Sequence, residues 1–296
     1  MDKANLHVHT KYSDGIKPVN IMLRDMLGAG INILCKTDQD SVEGNYETAS
    51  LCRQHGIRFF HGIELTTYPV EGLIERFDST FSLHILGYGI DTMKMHSHLV
   101  NYQVRKQRML GELVNLLIAD GYNLRTHILY GFDSMLKGRG AIARELVTIG
   151  RAKDVSDAFD NILNTESYIP FTLFPLSPKE IIEAIHSTGG LAVWSHPFHL
   201  KRGGEVRLKK EEVILYLDKL IEFGLDGIEA FYLPYDEESV EYLESLADSR
   251  GILKSVGTDY RGKSGEETLL TDPRLTEYTQ KSLPLIDRLG NKGKKI

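Results

Sequence analysis

Cysteine is nearly absent from this chain. Its 296 residues include only Cys35 and Cys52, too few for the disulfide framework that staples small secreted domains. Both fall in segments that read as regular structure, so they are expected to be reduced core thiols. No apolar run approaches the length of a membrane-spanning helix. The opening MDKANLHVHT lacks the charged-then-apolar order of an export signal, so a cytoplasmic location with no membrane partner is expected. Surplus basic charge is missing as well: the formal net charge is −6. Proteins that hold nucleic acid generally carry a basic face, so no stable nucleic-acid complex is expected. Internal repeats and low-complexity tracts are absent, and nothing in the sequence bears on oligomeric state.

What remains is an ordinary globular composition, 42% hydrophobic and 26% charged, consistent with a sizeable core. Short apolar runs recur at residues 4–9, 31–37, 58–64, 83–89, 191–196, 227–231 and 253–258. Segments of helical period lie between most of them, at 18–29, 40–55, 178–187, 210–223 and 237–250. Pro18 suits a first helical turn, and Gly56, Gly224 and Gly251 follow helix ends, where glycine is favoured. Alternation of this kind predicts parallel strands joined by crossover helices. The fold class is therefore α/β, a barrel-like sheet of seven strands.

Residues 90–176 carry helical patterns and no convincing strand, which predicts a helical insertion between the fourth and fifth strands. It divides a barrel domain of residues 1–89 and 177–270. The insertion's first helix is expected over 101–120, with Val104, Leu110, Leu113, Val114 and Leu117 on one apolar face. Residues 271–296 are polar, end in GNKGKKI, and are expected to form a loosely ordered tail.

The informative pattern is the placement of metal-ligand residue types. In parallel α/β folds the site lies at the C-terminal ends of the strands. NLHVHT puts His7 and His9 two residues apart, on one face of a strand. Glu64 closes FFHGIEL, His84 lies in LHILGY, His196 closes LAVWSHP, and Asp259 follows SVGT. Imidazoles and carboxylates suit Zn, Fe or Mn, and a carboxylate can bridge two ions. Any one of these residues alone reads as an ordinary hydrogen-bonded histidine or a solvated acid. Six at corresponding ends of five strands point to a site for two divalent ions. His55, His61, His96, His98, His127 and His186 fall elsewhere and are assigned no chemistry; His199, three residues past His196, stays undecided on this pattern.

NLHVHTKYSDG, CKTDQD, GIEL, SHP and GTDYRG resemble, in order and spacing, the successive motifs of the PHP (polymerase and histidinol phosphatase) family. The resemblance spans about residues 4–265. It implies a distorted (β/α)7 barrel and a metal-dependent phosphoesterase, specifically the stand-alone bacterial branch of nucleoside-monophosphate and 3′,5′-bisphosphonucleoside phosphatases. The segment GRGAIARELVTIGRAKDVSDAFDNIL is similar to that branch's insertion. Carried over by residue, the resemblance gives His7, His9, Glu64 and Asp259 to one ion, with Glu64 bridging to a second held by His84 and His196. Asp14 would bind a third, completed by histidines at two positions occupied here by Gln39 and Arg261.

Arginine has no lone pair for a metal, and a glutamine oxygen is a weak neutral ligand, so the third ion is expected to be absent. A guanidinium can instead grip a carboxylate or phosphate through two parallel hydrogen bonds. Arg261 is expected to pair with Asp14 and to face substrate phosphate. Lys11, Arg139, Arg144 and His199 are candidates for holding phosphate, His199 also as a proton donor to the leaving oxygen; Asp38 is expected to orient a ligand. For Arg139 and Arg144 a solvated helix face is an equal alternative. The expected substrate is a small phosphorylated molecule, nucleotide-like, attacked by a water activated between the two ions. Three rivals stand: a metal-binding module with degraded activity, a phosphodiesterase acting on short oligonucleotides, and a two-metal hydrolase of amides or lactones. Arg261 and the basic insertion residues favour an anionic substrate over the last.

Overall fold

A computed structural model describes residues 1–70, 72–74, 81–129, 139–168, 176–201 and 205–292. Residues 130–138 and 169–175 of the expected insertion, and 293–296 of the expected tail, lie outside the described residues.

The chain runs β1 (Ala4–Asn5), α1 (Val19–Gly28), β2 (Ile33–Lys36), α2 (Asn45–Gln54), β3 (Arg58–Thr67), β4 (Leu83–Tyr88), α3 (Thr92–Ala119), α4 (Thr126–Leu129), α5 (Arg139–Thr148) and α6 (Val155–Ala158). It continues through α7 (Pro178–Ser187), β5 (Leu191–Trp194), β6 (His199–Lys201), β7 (Glu205–Arg207), α8 (Lys210–Glu222), β8 (Gly227–Tyr232), α9 (Glu237–Arg250), β9 (Leu253–Gly257), α10 (Glu267–Leu270), α11 (Arg274–Lys281) and α12 (Leu283–Lys292). Seven strands pair in the order β1-β2-β3-β4-β5-β8-β9. A parallel bridge between Val8 and Tyr260 and a hydrogen bond from Leu6 N to Val256 O (3.0 Å) bring the first and last strands together, so the barrel is nearly closed.

One strand breaks the expected parallel order. β4 is antiparallel to both β3 and β5, with Thr66 opposite His84 and Ile85 opposite Trp194. The sequence between β3 and β4 carries no helical period to act as a crossover, and an antiparallel neighbour needs none. Consequently His84, near the first residue of β4 rather than its last, still lies at the mouth with Glu64. The first strand is also shorter than expected, Ala4–Asn5 rather than 4–9, because the chain leaves regular pairing where its histidines turn inward. A small antiparallel hairpin, β6–β7, follows β5.

Helix packing follows the sequence spacing. α1 buries Val19, Met22, Leu23 and Met26, one apolar stripe at helical period. α7 starts with a capping box in which Ser177 and Glu180 satisfy each other's backbone N–H. α3 corrects an expected boundary: it begins at Thr92, capped by Asp91, whose side chain accepts from Met93 N and Lys94 N. Its first turns bury Met95 and Leu99 in the barrel core. Its second half packs Leu110, Leu113, Val114 and Leu117 against Leu129, Ile142, Leu146 and Leu163, a separate apolar cluster. Val104 does not join that face and is 65% exposed. It lies six residues before Leu110, well round the helix from the buried stripe.

The expected loose tail is a second correction. α11 and α12 bury Leu275, Tyr278, Leu285, Ile286 and Leu289, Tyr278 stacks on Phe231 of β8, and Thr279 Oγ1 accepts from Ala4 N at 2.8 Å. The polar residues that dominate the segment occupy the outer helix faces, and few apolar residues at helical spacing suffice to dock it.

Candidate metal centre

The six residues meet at one end of the barrel, and all are buried. His7 and His9 follow β1 with Val8 between them bridging Tyr260, so both rings face inward. His7 Nε2, His9 Nε2 and Asp259 Oδ1 form a triangle with edges of 3.1, 3.3 and 3.0 Å. Donors about 2.0–2.1 Å from a shared cation sit roughly 3.0–3.4 Å apart, so this spacing fits an ion. Glu64 Oε1 is 3.4 Å from His7 Nε2, and Glu64 Oε2 is 3.4 Å from His9 Nε2. Glu64 also belongs to a second group, with His84 Nδ1 at 3.0 Å and His196 Nε2 at 3.5 Å from its Oε1. Two triads able to hold a metal ion therefore adjoin, His7–His9–Asp259 and Glu64–His84–His196. Buried Glu64 Oε2 accepts no hydrogen bond among the described residues, as expected of a carboxylate oxygen reserved for a cation.

Backbone strain is concentrated here. Among the described residues positive φ outside glycine occurs at Asp40 (51°), His196 (38°) and Asp259 (53°), each just past a barrel strand. Such conformations cost energy and persist only where surrounding structure enforces them. At His196 and Asp259 they turn a ligand-type side chain into the mouth.

The electrostatics reflect crowding of unlike groups. Burial alone would push His7 down, but Glu229, Asp259 and Glu64 hold it well above the usual imidazole range. Burial also opposes charge on His9, yet Asp14 and Asp259 raise it. Glu64, which burial would raise, is held well below the carboxylate range by His84 and His7. Asp259 is likewise depressed against burial by His7 and His9.

Asp14 and Arg261 stand beside this cluster as expected. Arg261 Nε donates to Asp14 Oδ2 at 2.8 Å, and Nη1 contacts Asp259 Oδ1. Asp14 Oδ1 in turn lies 3.1 Å from His9 Nδ1, leaving Nε2 of that ring for the triad. Gln39 is elsewhere than its place in the family pattern suggests: its Nε2 donates to Thr66 Oγ1 (2.8 Å) and sits 3.3 Å from His84 Nε2. Asp38 belongs to neither triad and organises the loop that carries His9 and Asp14. It accepts from Thr10 N, Thr10 Oγ1 and Ser13 Oγ, each at 2.6 Å, and from the buried Lys36 Nζ. Gly15 lets that loop fold back, since a Cβ there would lie 2.7 Å from Thr10 N.

The other expected residues belong to neither triad. His199 opens β6 with its ring 5.1 Å from Tyr235, which is 4.8 Å from Tyr232. Lys11 is exposed on the loop of Asp14, and Arg144 is exposed on α5. Arg139 donates to Leu163 O and Asn164 Oδ1 and lies over the Phe159 ring, all within the segment between β4 and β5. Cys35 and Cys52 are buried free thiols, as expected. Burial raises both, Cys52 to about 12.

Two residues of β8 escaped the sequence reading. Glu229 Oε1 is 2.9 Å from His7 Nδ1, and its Oε2 accepts from His196 N at 2.9 Å. Tyr232 donates to Asp259 Oδ2 at 3.2 Å. A carboxylate inside the apolar run GIEAFY was the available signal, because a buried charge requires partners.

A nearly closed α/β barrel with histidine and carboxylate triads at its mouth defines a metal-dependent hydrolase class. The PHP domain model matches residues 5–165, and the chain belongs to the PHP family of metal-dependent phosphoesterases. It is 25% identical over 276 residues to a 5′-3′ exoribonuclease of Haemophilus influenzae, covering 89% of this chain and 91% of the relative. It is 23% identical over 271 residues to the phosphoribosyl 1,2-cyclic phosphate 1,2-diphosphodiesterase of Eggerthella lenta, covering 88% and 95%. A Bifidobacterium adolescentis protein assigned as a metal-dependent phosphoesterase superposes with a TM-score of 0.60 at 25% identity, covering 97% of this chain and 98% of that one. Among the described residues no helix is long and apolar enough to cross a membrane.

Proposed function

We propose that this chain hydrolyses a phosphate monoester of a small molecule, a nucleotide or bisphosphonucleotide, at a two-ion centre in which Arg261 takes the place of a third ion. One observation carries the reading: two adjoining triads share the neighbourhood of Glu64, while the Arg261 guanidinium lies against Asp14 and Asp259. His7, His9 and Asp259 would hold one ion and His84 and His196 the other, with Glu64 placed within reach of both groups. Bound divalent ions supply Lewis acidity and a water activated for attack on phosphorus. Asp14, against His9 Nδ1, holds that ring with Nε2 toward His7 and Asp259, where the first ion would sit. Arg261, released from Asp14, grips a phosphate oxygen through its fork of donors. Lys11 adds positive charge at the rim, and His199 protonates the leaving oxygen. Arg139 and Arg144 belong to the surface that meets the rest of the substrate. Zn, Fe and Mn all suit this donor set.

The test is a phosphate-release screen with Mn and Zn supplied separately, over p-nitrophenyl phosphate, nucleotides, bisphosphonucleotides and sugar phosphates. Turnover of a terminal monoester with two ions bound per chain is the expected result. A fully loaded, inert protein would support a binding module instead. The phosphodiesterase reading is favoured by the similarity to an exoribonuclease; bis(p-nitrophenyl) phosphate and 5′-phosphorylated short oligonucleotides in the same screen decide it.

A further inference from the structure

Glu229 sits on β8, a strand that supplies none of the six ligand-type residues, yet it touches elements of both triads. Its side chain is fully buried. Oε1 faces His7 Nδ1 at 2.9 Å, and Oε2 accepts from the backbone N–H of His196 at 2.9 Å and from Ser195 Oγ at 3.3 Å. His7 belongs to one triad and His196 to the other. The fold makes room for this carboxylate: a Cβ on Gly257 would lie 2.4 Å from both Glu229 Oε1 and His7 Cβ.

Each contact sets a geometry. A carboxylate is an acceptor only, so in the neutral ring that a cation would require, the proton stays on Nδ1 toward Glu229 and Nε2, facing His9 and Asp259, is the nitrogen left to ligate. At His196, whose φ is 38°, the accepted backbone N–H holds a strained turn that swings the ring toward Glu64. One side chain thus fixes a tautomer in the first triad and a backbone conformation in the second.

We infer that Glu229 is the positioning residue common to both ion groups, setting the ligating nitrogen of His7 and the backbone turn of His196. This rests on the two-ion reading above. The chemistry of the two contacts differs in a testable way. Glu229→Gln offers one oxygen and one NH2 where the carboxylate offers two acceptors. The backbone N–H of His196 can only donate, whereas an imidazole can exchange tautomers. The amide oxygen therefore stays on His196 N, and its NH2 donates to His7 Nδ1, moving the ring proton to Nε2 and blocking that ligand.

The experiment is a calorimetric Mn2+ titration of wild type, Glu229→Gln and Glu229→Ala, with His84→Asn marking which binding step belongs to the second triad. Losses at positioning partners of metal ligands are typically about 10–100-fold in affinity. Glu229→Gln should lose about that much in the His7 step and leave the His84 step unchanged, and Glu229→Ala should weaken both. Metal-free melting by circular dichroism checks folding; if the alanine variant does not fold, the glutamine variant alone carries the test. Equal weakening of both steps in Glu229→Gln, the result of a merely structural role, overturns the inference, as does weakening of neither. Wild-type protein that binds no Mn2+ overturns the two-ion reading and the inference with it.

Discussion

Replacing Arg261 by methionine removes the charge while keeping much of the volume, and its consequences separate because two of them move in opposite directions. Arg261 pairs with Asp14, whose side chain is 45% exposed, and with Asp259, which is 4% exposed. The first pair is half in water and contributes about 0–1 kcal/mol. The second is buried, and stripping one partner from a buried pair costs up to about 3–5 kcal/mol. Metal-free Arg261→Met should therefore melt lower than wild type, chiefly through Asp259. A bound cation takes over Asp259, so saturating Mn2+ should close most of that gap. Turnover should not recover with it. Removing one preorganised group that stabilises transition-state charge typically costs about 100–1,000-fold in kcat, about 2.7–4 kcal/mol. Arg261→Lys keeps charge without the fork and should fall between. The assay is p-nitrophenyl phosphate hydrolysis at verified ion content, beside melting curves with and without Mn2+. Wild-type turnover in a fully loaded methionine variant, or turnover restored simply by more metal, would refute the reasoning.

Metal affinity should rise with pH, because the surrounding carboxylates raise His7 and His9 against burial and a ligating imidazole must lose its proton; titrations in buffers of different ionisation enthalpy should register proton release. In metal-free protein the sign is reversed: raised histidines stabilise the fold fully below the unfolded value of about 6.5, and that contribution fades as pH climbs through the folded value. Glu145 is buried and accepts from Arg125 N, Nε and Nη2 at 3.0, 2.7 and 2.9 Å. Glu145→Ala should cost roughly 1.5–3 kcal/mol, seen in a denaturant melt or in hydrogen exchange of α5. Arg125 lowers that carboxyl, so its contribution is present above the unfolded value of about 4.3 and lost as pH falls through the folded one. Cys35 and Cys52 should resist a thiol reagent in native protein and react only on unfolding, given their burial and raised thiols; fast native labelling would contradict the packing described.

The ligand-type residues were legible because their types are rare at strand ends and their spacing has a geometric meaning. HVH needs only the two-residue period of extended chain to put both rings on one side. The pairing of Arg261 with Asp14 was legible from charge and motif position. Glu229 was not, because a glutamate in an apolar strand announces burial without naming its partner, and that partner, His7, is 222 residues away. Gln39 was placed with Asp14 by motif order, yet the barrel sets it against His84. The C-terminal helices were missed because composition over 271–296 is polar on average, and docking depends on where a few apolar residues fall.

What the sequence determined by itself is chemical and local: which side chains can ligate, which face of a strand or helix they share, and where helices start. These follow from donor atoms and from the backbone periods of two and 3.6, which need no distant partner. Tertiary structure alone decided strand direction, which placed His84 at the mouth through an antiparallel β4. It also decided register, which set Glu229 between His7 and His196, and barrel closure, which brought Asp259 to His9. Each of those is a choice among pairings of similar local energy, resolved only when the whole core packs.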